Sequence, residues 1–146
     1  MYSLAIVCFC LGIAVFDLKT YRIPDIFLLT FVIVMLILKD NGPYIPDLAR
    51  FTASLAALSV FCVIFYFSKG MGLGDVKYAA ALGYILGPDK IVLVFLHTAL
   101  LSVIIFFIGL LLYRWPKNTK IQFAPFLSAG VILVLLGDVF NYNLIW

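Results

Sequence analysis

Seven carboxylates, all aspartates, are the only acidic side chains in this 146-residue chain, and two of them, Asp17 and Asp75, stand where they could do chemistry together. Asp75 closes the glycine-punctuated stretch Gly70-Met71-Gly72-Leu73-Gly74-Asp75-Val76-Lys77, which lies between two apolar runs. Glycines at alternate positions open backbone conformations closed to other residues. The stretch is therefore predicted to be a turn that delivers one carboxylate to the head of a small-residue helix. Asp17 ends the first apolar run, near the carboxyl end of a predicted helix, where the helix dipole disfavours negative charge. Ionisable groups at membrane depth are costly and usually functional. Two carboxylates brought together in a partly desolvated pocket do not both ionise cheaply, so one keeps a proton while the other is a base. Such a pair can take a proton from a water as it attacks a peptide carbonyl, hydrogen-bond the carbonyl oxygen, and protonate the leaving amine. That chemistry needs no metal or cofactor, and the pair titrates as a unit.

Other residues carry weaker signals. Asp75 on its own could be a helix N-cap, and Asp25, which follows Ile23-Pro24, opens a helix where proline suits the first turn and a carboxylate complements the dipole. The single histidine, His97, supports neither a metal cluster nor a Ser-His-Asp triad and reads as a buried, hydrogen-bonded side chain. Cys8, Cys10 and Cys62 lie inside apolar runs with neither zinc-like spacing nor an even count for disulfides. Residues 70–77 are not a phosphate loop, because no Gly-Lys-Ser/Thr follows and no strand precedes.

The elements that must position these groups are membrane helices. The chain is 66% hydrophobic and 12% charged, with a mean hydropathy of +1.20, too little polar surface for a soluble fold. The net charge of +3 is spread singly rather than gathered on one face, so no nucleic-acid partner is expected. The amino terminus lacks a basic leader and a small-residue cleavage signature before Asp17, and reads as a retained first span. Apolar runs at 2–16, 26–38, 51–67, 76–86, 91–113 and 123–136 predict an all-α bundle of about six transmembrane helices, forming one membrane-embedded domain over residues 1–146. Several runs are short for a hydrocarbon core of about 30 Å, so they must extend into their flanks or the bilayer must thin around them. Ala79, Gly83 and Gly87 form a small-residue stripe that suits close helix packing.

Lys19, Arg22, Lys69, Lys77, Arg114, Lys117 and Lys120 fall near one set of helix ends, and Lys39, Arg50 and Lys90 near the other. The positive-inside tendency makes the first set cytoplasmic and both termini external, with Phe140, Tyr142 and Trp146 in the outer aromatic belt. Asp17, Asp25 and Asp75 then share the cytoplasmic side, and Asp40, Asp47, Asp89 and Asp138 the opposite one.

Phe16-Asp17, Tyr21-Arg22-Ile23-Pro24-Asp25 and Gly72-Leu73-Gly74-Asp75-Val76-Lys77 together resemble the signature segments of the type IV prepilin peptidases, membrane aspartic proteases with a Gly-x-Gly-Asp motif. Gln122-Phe123-Ala124-Pro125-Phe126-Leu127, with Gly130, resembles the stretch that opens that family's last helix. The resemblance implies that Asp17 and Asp75 are the catalytic pair, with Gly72, Gly74, Lys77 and Pro24 supporting them. It further implies removal of a short basic leader from pilin-like precursors on the cytoplasmic side of the cell membrane. The family commonly has Asn where Asp25 stands, so Asp25 is not expected to be catalytic. It also has proline and glycine where Gln122 and Ala124 stand. Longer members carry a region with paired cysteines after their first helix and also methylate the product. With no such pair here, a compact, peptidase-only form is expected.

Three other readings remain open, one of them a non-catalytic assembly protein in which Asp75 is a helix cap. A presenilin-like or signal-peptide-peptidase-like intramembrane protease shares Gly-x-Gly-Asp but has more helices and cuts within a membrane helix. An ion-coupled transporter could use a broken helix and intramembrane acids to bind an ion, although no repeated halves are evident.

Overall fold

A computed structural model describes residues 2–20, 22–38, 44–67, 71–112 and 122–144. It contains five helices: α1 (Tyr2–Thr20), α2 (Asp25–Ile37), α3 (Asp47–Phe67), α4 (Leu73–Leu112) and α5 (Ala124–Leu144). No strand occurs among the described residues, so the fold is all-α. Most of the helices run past the apolar stretches that predicted them, which lengthens several of the short runs. Thus α1 continues beyond Phe16 to Thr20, and α3 begins at Asp47 rather than Phe51. The exception is α2, which has 13 residues and so a length of about 20 Å.

Six predicted helices and five observed ones are reconciled at Gly87. Within α4 this residue has φ 78° and ψ 178°, a left-handed conformation that glycine adopts readily and other residues avoid. Pro88, which follows, has no backbone N–H to continue the hydrogen-bond ladder. Side-chain contacts show that the chain reverses here. The Tyr78 hydroxyl meets the Ser128 hydroxyl at 3.0 Å, and Asp75 faces the start of α5, so the first arm of α4 (73–86) runs parallel to α5. Lys90 pairs with Asp138, and the Thr98 hydroxyl donates to the Phe126 carbonyl at 3.4 Å, so the second arm (88–112) runs antiparallel to α5. Thus α4 is a helical hairpin, and the described residues form six rods.

The small-residue stripe acts as predicted at Gly83. A Cβ there would lie 2.7 Å from the Ala53 carbonyl oxygen, so α3 and the first arm touch through their backbones, a contact that glycine permits. Nearby, the Ser54 hydroxyl donates to the Ala80 carbonyl at 2.9 Å. Gly87 belongs to the stripe by spacing but serves the reversal instead.

Ending a helix at residue 86 leaves carbonyls without intrahelical partners. Arg50, buried at 4% exposure, supplies donors: Nη1 reaches the Tyr84 and Ile85 carbonyls at 3.5 and 3.3 Å, and Nε reaches the Ile45 carbonyl at 3.2 Å. The Tyr2 hydroxyl adds a 3.0 Å bond to the Ile85 carbonyl. Arg50, expected to mark a membrane face, is thus turned inward to cap the hairpin.

One buried apolar cluster draws on all five helices, with Ile6, Ile13, Phe31, Ala57, Leu82, Val94 and Leu127 among its members. Large apolar side chains also cover the outside, including Leu29, Leu55, Val92, Leu96 and Val103. Three helices are long and apolar enough to cross a membrane, at 2–20, 47–67 and within 73–109, and α2 and the first part of α5 are shorter and apolar. The chain is a multi-pass membrane protein. Asp17, Asp25 and Asp75 lie at one end of the bundle and Asp47, Asp89 and Asp138 at the other, as the alternation of helices predicts. Asp40, Gly70, Trp146 and the basic residues 39, 69, 114, 117 and 120 fall outside the described residues.

Candidate active site

Asp75 lies in the first turn of α4, which begins at Leu73 rather than at Val76. It is therefore not the N-cap, a role that falls to Gly72. The Gly72 N–H donates to Asp75 Oδ2 at 3.3 Å and the Asp75 N–H donates to the Gly72 carbonyl at 3.2 Å, half of a capping box in which the third helical side chain reaches back to the cap. This fixes one carboxylate oxygen and leaves Oδ1 buried without a hydrogen-bond partner among the described residues.

Among the described glycines of this turn, none has the left-handed backbone that alternate glycines suggested; Gly87 alone does among those described. The need for Gly74 is steric. A Cβ there would lie 3.1 Å from the Ile23 Cβ, so its bare backbone admits the buried Ile23 against the turn that carries Asp75. Gly72, by contrast, has room for a Cβ, with its nearest neighbour at 3.7 Å.

Asp17 sits on the last turns of α1, buried at 6% exposure against 7% for Asp75. Its Oδ2 is likewise buried without a partner among the described residues. Its backbone carbonyl accepts a 2.8 Å bond from Gln122 Nε2, which ties the end of α1 to the approach to α5. The N-terminal residue of α5, Ala124, is fully buried and turns its backbone N–H toward the Asp75 carboxyl, and the two carboxyls lie within electrostatic reach of one another. Four chain segments thus converge: the end of α1, the Ile23-Pro24 turn, the Gly72 turn and the head of α5.

The remaining predicted residues are placed around this centre. Pro24 is the N-cap of α2, in extended conformation, and follows the Ile23 that packs against Gly74. Lys77 Nζ pairs with Asp25 Oδ1 at 2.7 Å, with the two side chains 55% and 71% exposed. Asp25 is thereby drawn outward to a lysine rather than into the pair, and Lys77 straps α2 to α4 at the rim. His97 is half-buried rather than fully buried, and it is hydrogen-bonded as expected, with its Nδ1 2.7 Å from the Leu93 carbonyl of its own helix. Cys8 and Cys62 face outward and Cys10 inward, all three as free thiols. No cluster of residues able to hold a metal occurs among the described residues.

The contacts of Gln122 and Ile23 are not legible in the sequence. Both lie inside the quoted motif segments, but a glutamine that grips a backbone carbonyl from 105 positions away leaves no periodic trace in the chain.

Known proteins resemble the chain along nearly its whole length. Residues 4–137 match the model of the Type IV leader peptidase family. Proteins named prepilin leader peptidase/N-methyltransferase are similar to it: one from Aeromonas salmonicida is 35% identical over 84% of this chain and 44% of its own length. One from Pseudomonas aeruginosa is 33% identical over 88% and 47%, and one from Bacillus subtilis 29% identical over 86% and 52%. The chain therefore spans about half the length of these curated relatives. No solved structure matches it. With the family model covering almost every described helix, the chain belongs to the type IV leader peptidase family.

Proposed function

We propose that this protein is an aspartic endopeptidase that removes the basic leader from pilin-like precursors, with Asp17 and Asp75 as its catalytic pair, at the cytoplasmic face of the cell membrane. The observation that carries the reading is the pair itself: two buried aspartates from different helices, each with one carboxylate oxygen free of hydrogen bonds among the described residues, at the same end of the bundle. Structural carboxylates in a bundle core are normally satisfied by donors, so two neighbouring ones with free oxygens are suited to hold water and substrate.

The chemistry follows from a pair that shares one proton. The ionised member takes a proton from a water as its oxygen attacks the scissile carbonyl carbon. The protonated member donates to the carbonyl oxygen as charge develops there, and the tetrahedral species collapses with a proton passed to the leaving amine. The Gly72 N–H anchors Oδ2 of Asp75 and leaves Oδ1 to face the reaction. Gln122 holds the backbone on which Asp17 rides. A precursor whose apolar helix lies in the bilayer offers the junction with its basic leader near the head groups, which suits a site at the end of a bundle. The names of the relatives, which pair a leader peptidase with prepilin as its object, agree with this substrate class.

Incubating the purified protein with a precursor that carries a basic leader, and reading the new amino terminus by mass spectrometry, tests the proposal. A cut between the leader and the apolar helix is expected. A cut inside that helix would point to an intramembrane protease, and no cut at all would leave the peptidase reading without support.

A further inference from the structure

The rods of this bundle differ in length, and the difference is all at one end. Arg50 of α3 meets the carbonyls of residues 84 and 85, and Lys90 meets Asp138, so the rods start level at the end away from Asp17 and Asp75. From there α1 needs about 22 Å to reach Asp17, the first arm of α4 about 17 Å to reach Asp75, and α5 about 21 Å between Asp138 and Ala124. Two rods run further. Phe61 of α3 already touches Phe123 at the head of α5, and the helix continues to Phe67, about 9 Å past the level of the aspartates. Thr98 of the second arm is level with Phe126, and this arm continues to Leu112, about 21 Å past Phe126 and so about 18 Å past Ala124, the level of the aspartates.

These extensions are apolar on all sides. Val63, Ile64, Phe65, Tyr66 and Phe67 of α3 are exposed, as are Val103, Ile104, Phe106, Phe107, Ile108 and Leu111 of the second arm. A helix that is hydrophobic all round belongs in hydrocarbon. The opposite flank is charged at the level of the aspartates, where Lys19, Arg22, Asp25 and Lys77 are all exposed. The two flanks are also separate in the packing: α3 lies against α4, whereas α1 and α2 lie against each other, α5 and α4. A flat membrane boundary cannot serve both. Placed at the charged flank it strands the apolar extensions in water, and placed at their tips it submerges the charges by more than lysine and arginine stems can span.

We propose that the protein imposes a step on the leaflet at its aspartate end. The bilayer keeps its full thickness along α3 and the second arm of α4 and is thinned by about 10 Å along α1 and α2, so that the head groups and water descend to the aspartate pair on that flank. The partner of the long rods is the acyl chains themselves. The step is a property of the fold and stands or falls separately from the peptidase reading.

Single cysteines in lipid nanodiscs, which expose both leaflets, test it. Cys8 and Cys62 are replaced by alanine, buried Cys10 is kept, and one cysteine is introduced at Lys19, Arg22, Phe67 or Ile108. Along the bundle axis, the last two lie further out than the first two. With a step, a membrane-impermeant maleimide modifies K19C and R22C about tenfold or more faster than F67C and I108C, and thicker lipids slow only the first pair. A bimane probe at F67C or I108C is then quenched by brominated acyl chains. A flat boundary gives the reverse order of labelling and overturns the proposal. So do F67C and I108C protected from maleimide but unquenched by brominated lipid, which would mean that protein, such as a second copy, covers the long rods.

Discussion

At the scale of single residues, the pair dominates. Asp17 and Asp75 are buried alike, whereas Asp25, at the same end, is committed to Lys77 in an exposed ion pair of the kind that contributes about 1 kcal/mol or less. Asp17→Asn and Asp75→Asn are each expected to lower leader cleavage by at least about a hundredfold, the scale of positioned acid–base catalysis, with the thermal unfolding of the purified variants unchanged. Asp25→Asn and Lys77→Ala are expected to stay within about threefold of the parent, because an exposed pair of this kind contributes little. Processing within about tenfold of the parent by either of the first two variants would remove that residue from the pair. The wild-type rate is expected to rise and fall with pH along two limbs that both belong to the pair. Either conservative variant should abolish the profile rather than shift it.

At the scale of elements, two close approaches hold the site's scaffold. Gly83 admits the Ala53 carbonyl against its bare backbone, so even Gly83→Ala must push α3 and the first arm apart, at a cost of about 1–3 kcal/mol. Gly87 sits in a left-handed conformation with Ile45 2.9 Å from where its Cβ would be, so Gly87→Ala adds backbone strain to overlap and is expected to destabilise the hairpin by more than about 1 kcal/mol. Arg50→Met keeps the stem but leaves the Tyr84 carbonyl and its neighbours short of donors, a loss of about 1–3 kcal/mol. Each change is read as a lowered unfolding temperature in detergent micelles, and an unaltered temperature for Gly87→Ala would contradict the reversal at that residue.

At the scale of the whole molecule, the proposed step in the leaflet would tie the proposed cleavage to the bilayer. If the aspartates are reached through a thinned leaflet, cleavage in nanodiscs of phosphatidylcholines whose chains lengthen from about 14 to about 22 carbons should fall several-fold, since the cost of thinning grows with mismatch. A rate indifferent to chain length would mean that substrate reaches the pair by a route that the lipid does not control.

Hydropathy and local chemistry were enough to find the helices and to sort the acids by end, because the bilayer enforces both: an apolar run must cross, and each crossing changes sides. The same logic brings Asp17 and Asp75 to one end, and the resemblance carried by Gly-x-Gly-Asp with Ile23-Pro24 picks them out as a pair. What tertiary structure alone decided depends on contacts between residues far apart in the chain. Gly74 is small because Ile23 packs against it, Gln122 holds Asp17 from 105 positions away, and Arg50 turns inward because the hairpin end needs donors. Gly87 looked like one more member of a packing stripe, and only its backbone angles revealed the reversal. The unequal reach of the rods was hidden for the same reason: run lengths are legible one helix at a time, whereas their relative levels are set by which side chains meet across the bundle.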